Sequence, residues 1–348
     1  MRISEIGEFG LIARLKAICG EPRADVVVGI DDDAAAFRAP EGELEVVTTD
    51  AVVEGVHFLW DYFSPYQLGW RSMAANLSDM AAMAAEPQFA VVSVALPPSM
   101  SVEAVEDMYR GMVDLAGRYG VGIVGGDTTT SPRGMFLSIT VIGKAPANRL
   151  VRRAGARVGD ALFVTGYLGQ SHAGLMVLST PTRFAKQEFP SVVQRHLQPM
   201  PRVEEAIFLR EHVNLSSMID VSDGLASEVR HLSRLGGVGA VIVEEAIPVS
   251  PEARRVAAAM GHDARDYALG GGEDFELLFT ARKEEVERIL PRFEERFGLA
   301  LTAVGEILPA HQGVKLYLAD GHLQALPVAG WNHFAGKRHC RRGRDSGS

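Results

Sequence analysis

Aspartates that close apolar runs are the first residues in this chain whose spacing suggests chemistry. VVVGI ends in Asp31-Asp32-Asp33, LEVVTT in Asp50, GIVGG in Asp127, and SSMI in Asp220 with Asp223 three residues on. Asp79 lies in Asn76-Leu77-Ser78-Asp79, where i, i+3 spacing sets Asn76 and Asp79 on one helix face. Ligands of α/β proteins bind off strand ends, so acids placed there can converge. Converged carboxylates repel one another and shift in pKa unless a hard cation neutralises them. Mg²⁺ suits such a set, since it takes oxygen ligands and bridges carboxylates to phosphates. Gly125-Gly126 and Gly270-Gly271-Gly272 allow close backbone approach and can offer N–H groups to an anion. Thr48-Thr49, Thr128-Thr129-Thr130 and Ser222 add hydroxyls.

Each acid taken singly has an ordinary explanation. An Asp after a strand is commonly a turn former or helix cap, and Asp223-Gly224 reads as a turn before a helix. Repetition of the context is what points to a site. Other devices are missing: no GxxxxGK[ST], no GxGxxG after a strand and no HExxH, and only six lysines occur in the chain. Cys19 reads as a core thiol behind an apolar helix face, not a nucleophile, and His57 taken alone reads as a strand residue.

The elements that must position these acids alternate between two periods. A helix is expected over 3–18, strands over 24–30 and 43–50, and an extended stretch through Val56-His57-Phe58. Helices over 65–85 (closed by Pro87) and 101–119 enclose a strand over 89–98, and strands over 121–126 and 135–143 follow. After a turn-rich passage over 144–160 come strands near 161–166, 239–243, 275–280, 301–308 and 314–318, and the strand-like SSMIDVSDG. Helices near 170–179, 201–212, from about 224, and 283–297 lie between them. This alternation predicts a mixed α/β fold in two domains, 1–147 and 148–335, with a basic tail at 336–348.

Composition narrows the partners. The chain has 348 residues and a formal net charge of −9, a poor match for a nucleic-acid backbone. The tail carries five basic residues against one acid and is expected to be disordered. No apolar run reaches the ~18 residues of a membrane span. The N-terminus MRISEIGEFGLIARL has two glutamates and no cleavage-like site, against a signal peptide. Two cysteines, Cys19 and Cys340, fit a reduced cytoplasmic setting.

EFGLIAR, TTDAVVEGVHF, NLSDMAAMAAEP, GGDTT, RHLQPMPR, IDVSDGL, GGGEDFEL and a closing GWNHF occur in this order from about Gly7 to Phe334. In this the sequence resembles the thiamine-monophosphate kinases, of the superfamily that includes aminoimidazole ribonucleotide synthetase. The resemblance implies a two-domain fold whose N-terminal domain binds metal and ATP and forms a barrel in a homodimer. It implies Mg²⁺ ligands at Asp33, Thr48, Thr49, Asp50, Asp79, Asp127, Asp220 and Asp223. Gly126, Asp127, Arg153 and Ser222 would meet ATP, and His57, Glu273 and Trp331 the thiamine phosphate, with Trp331 able to stack on a cationic ring. Asp31 stands where the family has glycine, and Met-Ala-Ala follows NLSD in place of Met-Gly-Ala. The chain lacks the early Cys or selenocysteine arm of selenophosphate synthetase. Cys340, eight residues from the end, is not the terminal cysteine of the hydrogenase-maturation relative.

The activity this implies is direct transfer from ATP to thiamine monophosphate with several Mg²⁺ ions and no side-chain nucleophile or base. A purine-type ATP-dependent cyclase and a non-catalytic thiamine-phosphate or nucleotide binder are the alternatives.

Overall fold

The computed structural model describes residues 26–28, 32, 34–39, 42–328 and 330. The helix expected over 3–18, Asp33, Trp331 and the basic tail lie outside them.

The first sheet is built from β1 (Val26–Val28), β2 (Ala35–Arg38), β3 (Glu43–Val53), β4 (Glu86–Leu96), β5 (Gly122–Thr130) and β6 (Phe136–Pro146). Its strand order is β1-β2-β3-β6-β4-β5, antiparallel except for the β4–β5 pair. Alternate residues turn to one side: Leu44 and Val46, Ala90, Val92 and Val94, and Leu137, Ile139 and Val141 are all buried there. Two helices cover that side, α1 (Pro65–Ala82) and α2 (Val102–Arg118). They approach closely because glycines face each other's backbone. A Cβ on Gly69 would lie 1.9 Å from the Met108 carbonyl oxygen, and one on Gly111 2.0 Å from that of Tyr66. Ser64 caps α1 in a capping box with Gln67, and Pro65 occupies its first turn.

The second sheet holds β7 (Ala161–Thr165), β8 (Ser217–Asp220), β9 (Gly239–Val243), β10 (Leu277–Ala281), β11 (Leu301–Leu308), β12 (Val314–Tyr317) and β13 (Leu323–Ala325). Their order is β13-β12-β9-β11-β7-β10-β8. Its helices are α3 (Gln170–Ser179), α4 (Pro190–Leu197), α5 (Val203–His212), α6 (Leu225–Gly236), α7 (Pro251–Met260), α8 (Ala264–Gly270) and α9 (Lys283–Phe297). β7 and β10 are buried along their whole length because each face meets a different core. Leu162, Val164 and Leu278 join a core with Ala173, Val229 and Val256. Phe163, Leu277 and Phe279 join Phe208, Leu209 and Phe293 in a core continuous with the first sheet and its helices. The two halves therefore share apolar packing as well as a connecting chain.

Four expectations need correction. β3 runs through Asp50 to Val53, because β6 pairs with it as far as Phe136. β5 likewise passes through Asp127 to Thr130 against β4. Neither acid closes its strand; Asp220 does. The stretch at Val56-His57 is a turn, with both amides bonded to the Val53 carbonyl. α1 ends at Ala82, turned by the left-handed Ala84 (φ 51°), and Pro87 belongs to β4. β2, α4, α7, α8 and β13 were not anticipated, although Phe189-Pro190 and Ser250-Pro251 carry proline at a first helical turn.

Candidate active site

One turn of α1 gathers the acids of both halves. Asn76 Oδ1 accepts from the Asp50 amide at 3.1 Å, with its own amide anchored on the Ser72 carbonyl at 3.0 Å. Thr48 Oγ1 donates to Asp79 Oδ2. Ser78 Oγ donates to Asp220 Oδ2 at 2.7 Å, across the boundary between the two sheets' domains. The i, i+3 pairing of Asn76 with Asp79 thus serves to face β3, and Ser78 serves the other half.

Asp220 ends β8, and Asp223 lies in the turn leading to α6. Its amide donates to Glu228 Oε1 at 2.9 Å, so a buried glutamate backs the turn. Burial raises the Glu228 pKa well above the usual range, and the charges of Asp223 and Asp220 raise it further; Arg153 offsets part of this. Burial pushes Asp50 up to about 6. The Arg153 amide donates to Asp32 Oδ1 at 3.2 Å, which ties Asp32 to the linker after β6.

Glu273 enters from the other side of the same turn. Its amide donates to the Ser222 carbonyl at 2.7 Å, and its backbone is left-handed (φ 66°). The glycines before it serve close packing. A Cβ on Gly272 would lie 2.3 Å from the Ser222 oxygen, and the Gly271 amide donates to the Tyr267 carbonyl, so Gly271 is not an open anion cradle. The Glu273 carboxylate forms an ion pair with Arg71 of α1. His57 Nδ1 accepts from the Val53 amide at 3.0 Å, which leaves Nε2 to carry the proton of the neutral ring.

Two expected ligands fall elsewhere. Thr49 lies on the sheet face away from α1, where its hydroxyl donates to the Ile139 carbonyl at 3.1 Å and accepts from Thr140 at 2.9 Å. Asp127 pairs with Ser93, which pairs with Ser138, which pairs with Ala51. Paired residues share a face, so Asp127 projects from the side opposite Asp50, three strand spacings or about 14 Å away. Gly126 is needed where β5 nears β4, since a Cβ there would lie 1.9 Å from the Val92 carbonyl oxygen. Among the described residues, no three His, Cys, Asp or Glu side chains form a ready metal cage.

Sequence reading missed Arg71, Ser78 and Glu228 as members of the site. Only Glu228 leaves a local signal, an acid in the first turn of a helix that follows Asp-Gly. RHLQPMPR, by contrast, builds a buried network. Arg195 and Arg202 pair with Glu276, which also accepts from the Thr165 hydroxyl. Burial alone would raise Glu276, but the two guanidiniums hold it below the usual range.

The geometry defines a class. The family model described as AIR synthase related protein, N-terminal domain, matches residues 31–145, and its C-terminal counterpart matches 157–317. Hydrogenase-maturation HypE structures share this fold at 19% identity (TM-score 0.70 for the one in complex with ATP). Within the class the relatives are narrower. Thiamine-monophosphate kinase of Escherichia coli K12 is 36% identical over 94% of this chain and 98% of its own. That of Bacillus subtilis is 35% identical over 89% and 94% respectively. A structure described as AaThiL complexed with AMPPCP and TMP superposes with a TM-score of 0.84 at 33% identity, covering 96% of this chain and 99% of that one. The chain belongs to the thiamine-monophosphate kinase family, and the enzyme is a thiamine-phosphate kinase.

Proposed function

We propose that the chain transfers the γ-phosphoryl group of ATP in line to the phosphate of thiamine monophosphate, at the acid cluster gathered by residues 76–79. The observation that carries this is the reach of one α1 turn to Asp50, Thr48 and Asp220 together. The relative solved with AMPPCP and TMP supports both substrates.

The donors fit Mg²⁺. Asp50, Asp79, Asp220, Asp223 and Thr48 offer hard oxygens, and a site that takes few protein ligands suits an ion that keeps waters and phosphates in its shell. Asp33 is proposed to complete this ligand set, whereas Thr49 and Asp127 face away from it on the other side of the first sheet. When bound, Mg²⁺ would neutralise charge on the transferring phosphates. Ser78 and Asn76 fix the acids, while Arg153, Ser222 and Gly126 are the proposed nucleotide contacts. His57, Glu273 and Trp331 are proposed to take the thiamine end. The acceptor phosphate has a second pKa of about 6, so it is mostly dianionic at neutral pH and needs no general base.

The reading includes a homodimer joined through the N-terminal sheets, which would cover the open face bearing Thr49, Thr140 and Asp127. The division of labour at 147/148 and a cytoplasmic setting belong to it too. Among the described residues no helix is long and apolar enough to cross a membrane. The test supplies γ-labelled ATP, Mg²⁺ and thiamine monophosphate. Labelled thiamine diphosphate should form one-to-one with ADP, and a trapped phosphoenzyme would overturn direct transfer.

A further inference from the structure

We infer that Arg71 is a positioning residue for the acceptor, acting through Glu273. This rests on the reading of Glu273 as a contact to the thiamine end of the substrate. Arg71 projects from the second turn of α1 and is only 6% exposed. Its two terminal nitrogens are committed to the other domain. Nη2 pairs with the Glu273 carboxylate, and Nη1 donates to the His196 carbonyl. Its guanidinium also lies 5.4 Å from the centre of the Phe63 ring. Both contacts turn the guanidinium toward the C-terminal half.

Glu273 needs such a partner. Its left-handed backbone is uncommon for a residue with a side chain. The Ser222 carbonyl fixes that backbone, but the carboxylate remains 39% exposed and would swing without a second restraint. The rigid fork of Arg71 supplies it and leaves part of the carboxylate open to a cationic substrate group. The same helix carries Asp79 eight residues later, about 12 Å along the axis at 1.5 Å per residue. α1 therefore sets the spacing between the end that holds the acceptor's cation and the end that handles its phosphate.

A kinetic double-mutant cycle of Arg71→Met with Glu273→Gln tests this on the full chain. Arg71→Met should raise the KM for thiamine monophosphate about tenfold or more and leave the KM for ATP unchanged. Glu273→Gln should do the same, and the double variant should be no worse than either single. Arg71→Lys keeps the charge without the fork and gives a folded alternative should the methionine variant not fold. Its smaller rise in KM should vanish in the Glu273→Gln background. Normal KM in the Arg71 variants beside an impaired Glu273→Gln overturns the inference, as do multiplicative effects or an equal rise in the KM for ATP. A normal KM in Glu273→Gln overturns the reading of Glu273 itself, and the inference with it.

Discussion

Glu228 and Glu276 are both buried glutamates of the C-terminal half, yet their pKa values move in opposite directions. Burial raises Glu228, and Asp223 and Asp220 push the same way. Burial would also raise Glu276, but Arg195 and Arg202 overcome it. Around Glu276 the chain supplies its own counter-charge. Around Glu228, Asp50 and Asp220 the chain concentrates acids on hydroxyls and amides, with Arg153 as a partial offset. The difference separates charge used to hold the fold from charge kept for a cation and a polyanionic substrate.

The sharpest way to break that comparison is through stability. Glu276→Gln leaves two buried guanidiniums facing a neutral amide and should cost about 3–5 kcal/mol in urea unfolding. Unchanged stability would mean the network is not structural. Asp220→Asn should do the reverse, keeping the Ser78 contact and the fold while cutting kcat by about 10²–10³, the equivalent of several kcal/mol of lost charge stabilisation. A variant that unfolds yet turns over normally when refolded would merge the two clusters into one class.

Acid should act on the structural side through His196. Burial, then Arg71 and His172, lower its pKa well below 6.5, so the folded state keeps it neutral while the unfolded chain protonates. Its contribution is fully present above pH 6.5 and is lost as pH falls towards the folded value, at up to about 1.4 kcal/mol per pH unit. In His196→Asn the slope of stability against pH just below 6.5 should flatten; an unaltered slope assigns the acid sensitivity elsewhere. The smallest effect concerns α1 itself. Ser64→Ala removes the cap and should cost about 1 kcal/mol by thermal melting. No loss would show that packing alone fixes the helix.

The sequence made the acids legible because repeated Asp after apolar runs is a local pattern, and Asp79 with Asn76 could be set on one face by helical spacing alone. It misplaced Asp50 and Asp127 at strand ends because strand length is decided by the partner. β6 extends β3 to Val53 and β4 extends β5 to Thr130. The same pairing sends Asp127 and Thr49 to the far face, and no run of residues announces that. Arg71 with Glu273, and Ser78 with Asp220, are contacts between distant segments that leave no periodic trace. RHLQPMPR was visible as a motif, but only the structure shows that Arg195 and Arg202 serve Glu276.

The central claim is that the cluster at residues 76–79 holds the cation through which phosphate is handled. Mg²⁺ titration of thiamine diphosphate formation, in the unaltered chain and in Asp79→Asn, tests it most directly. Activity should stop in excess chelator, return with Mg²⁺, and need a higher Mg²⁺ concentration for half-maximal rate in the variant. Full activity in chelator, or identical Mg²⁺ curves for the two proteins, would contradict it.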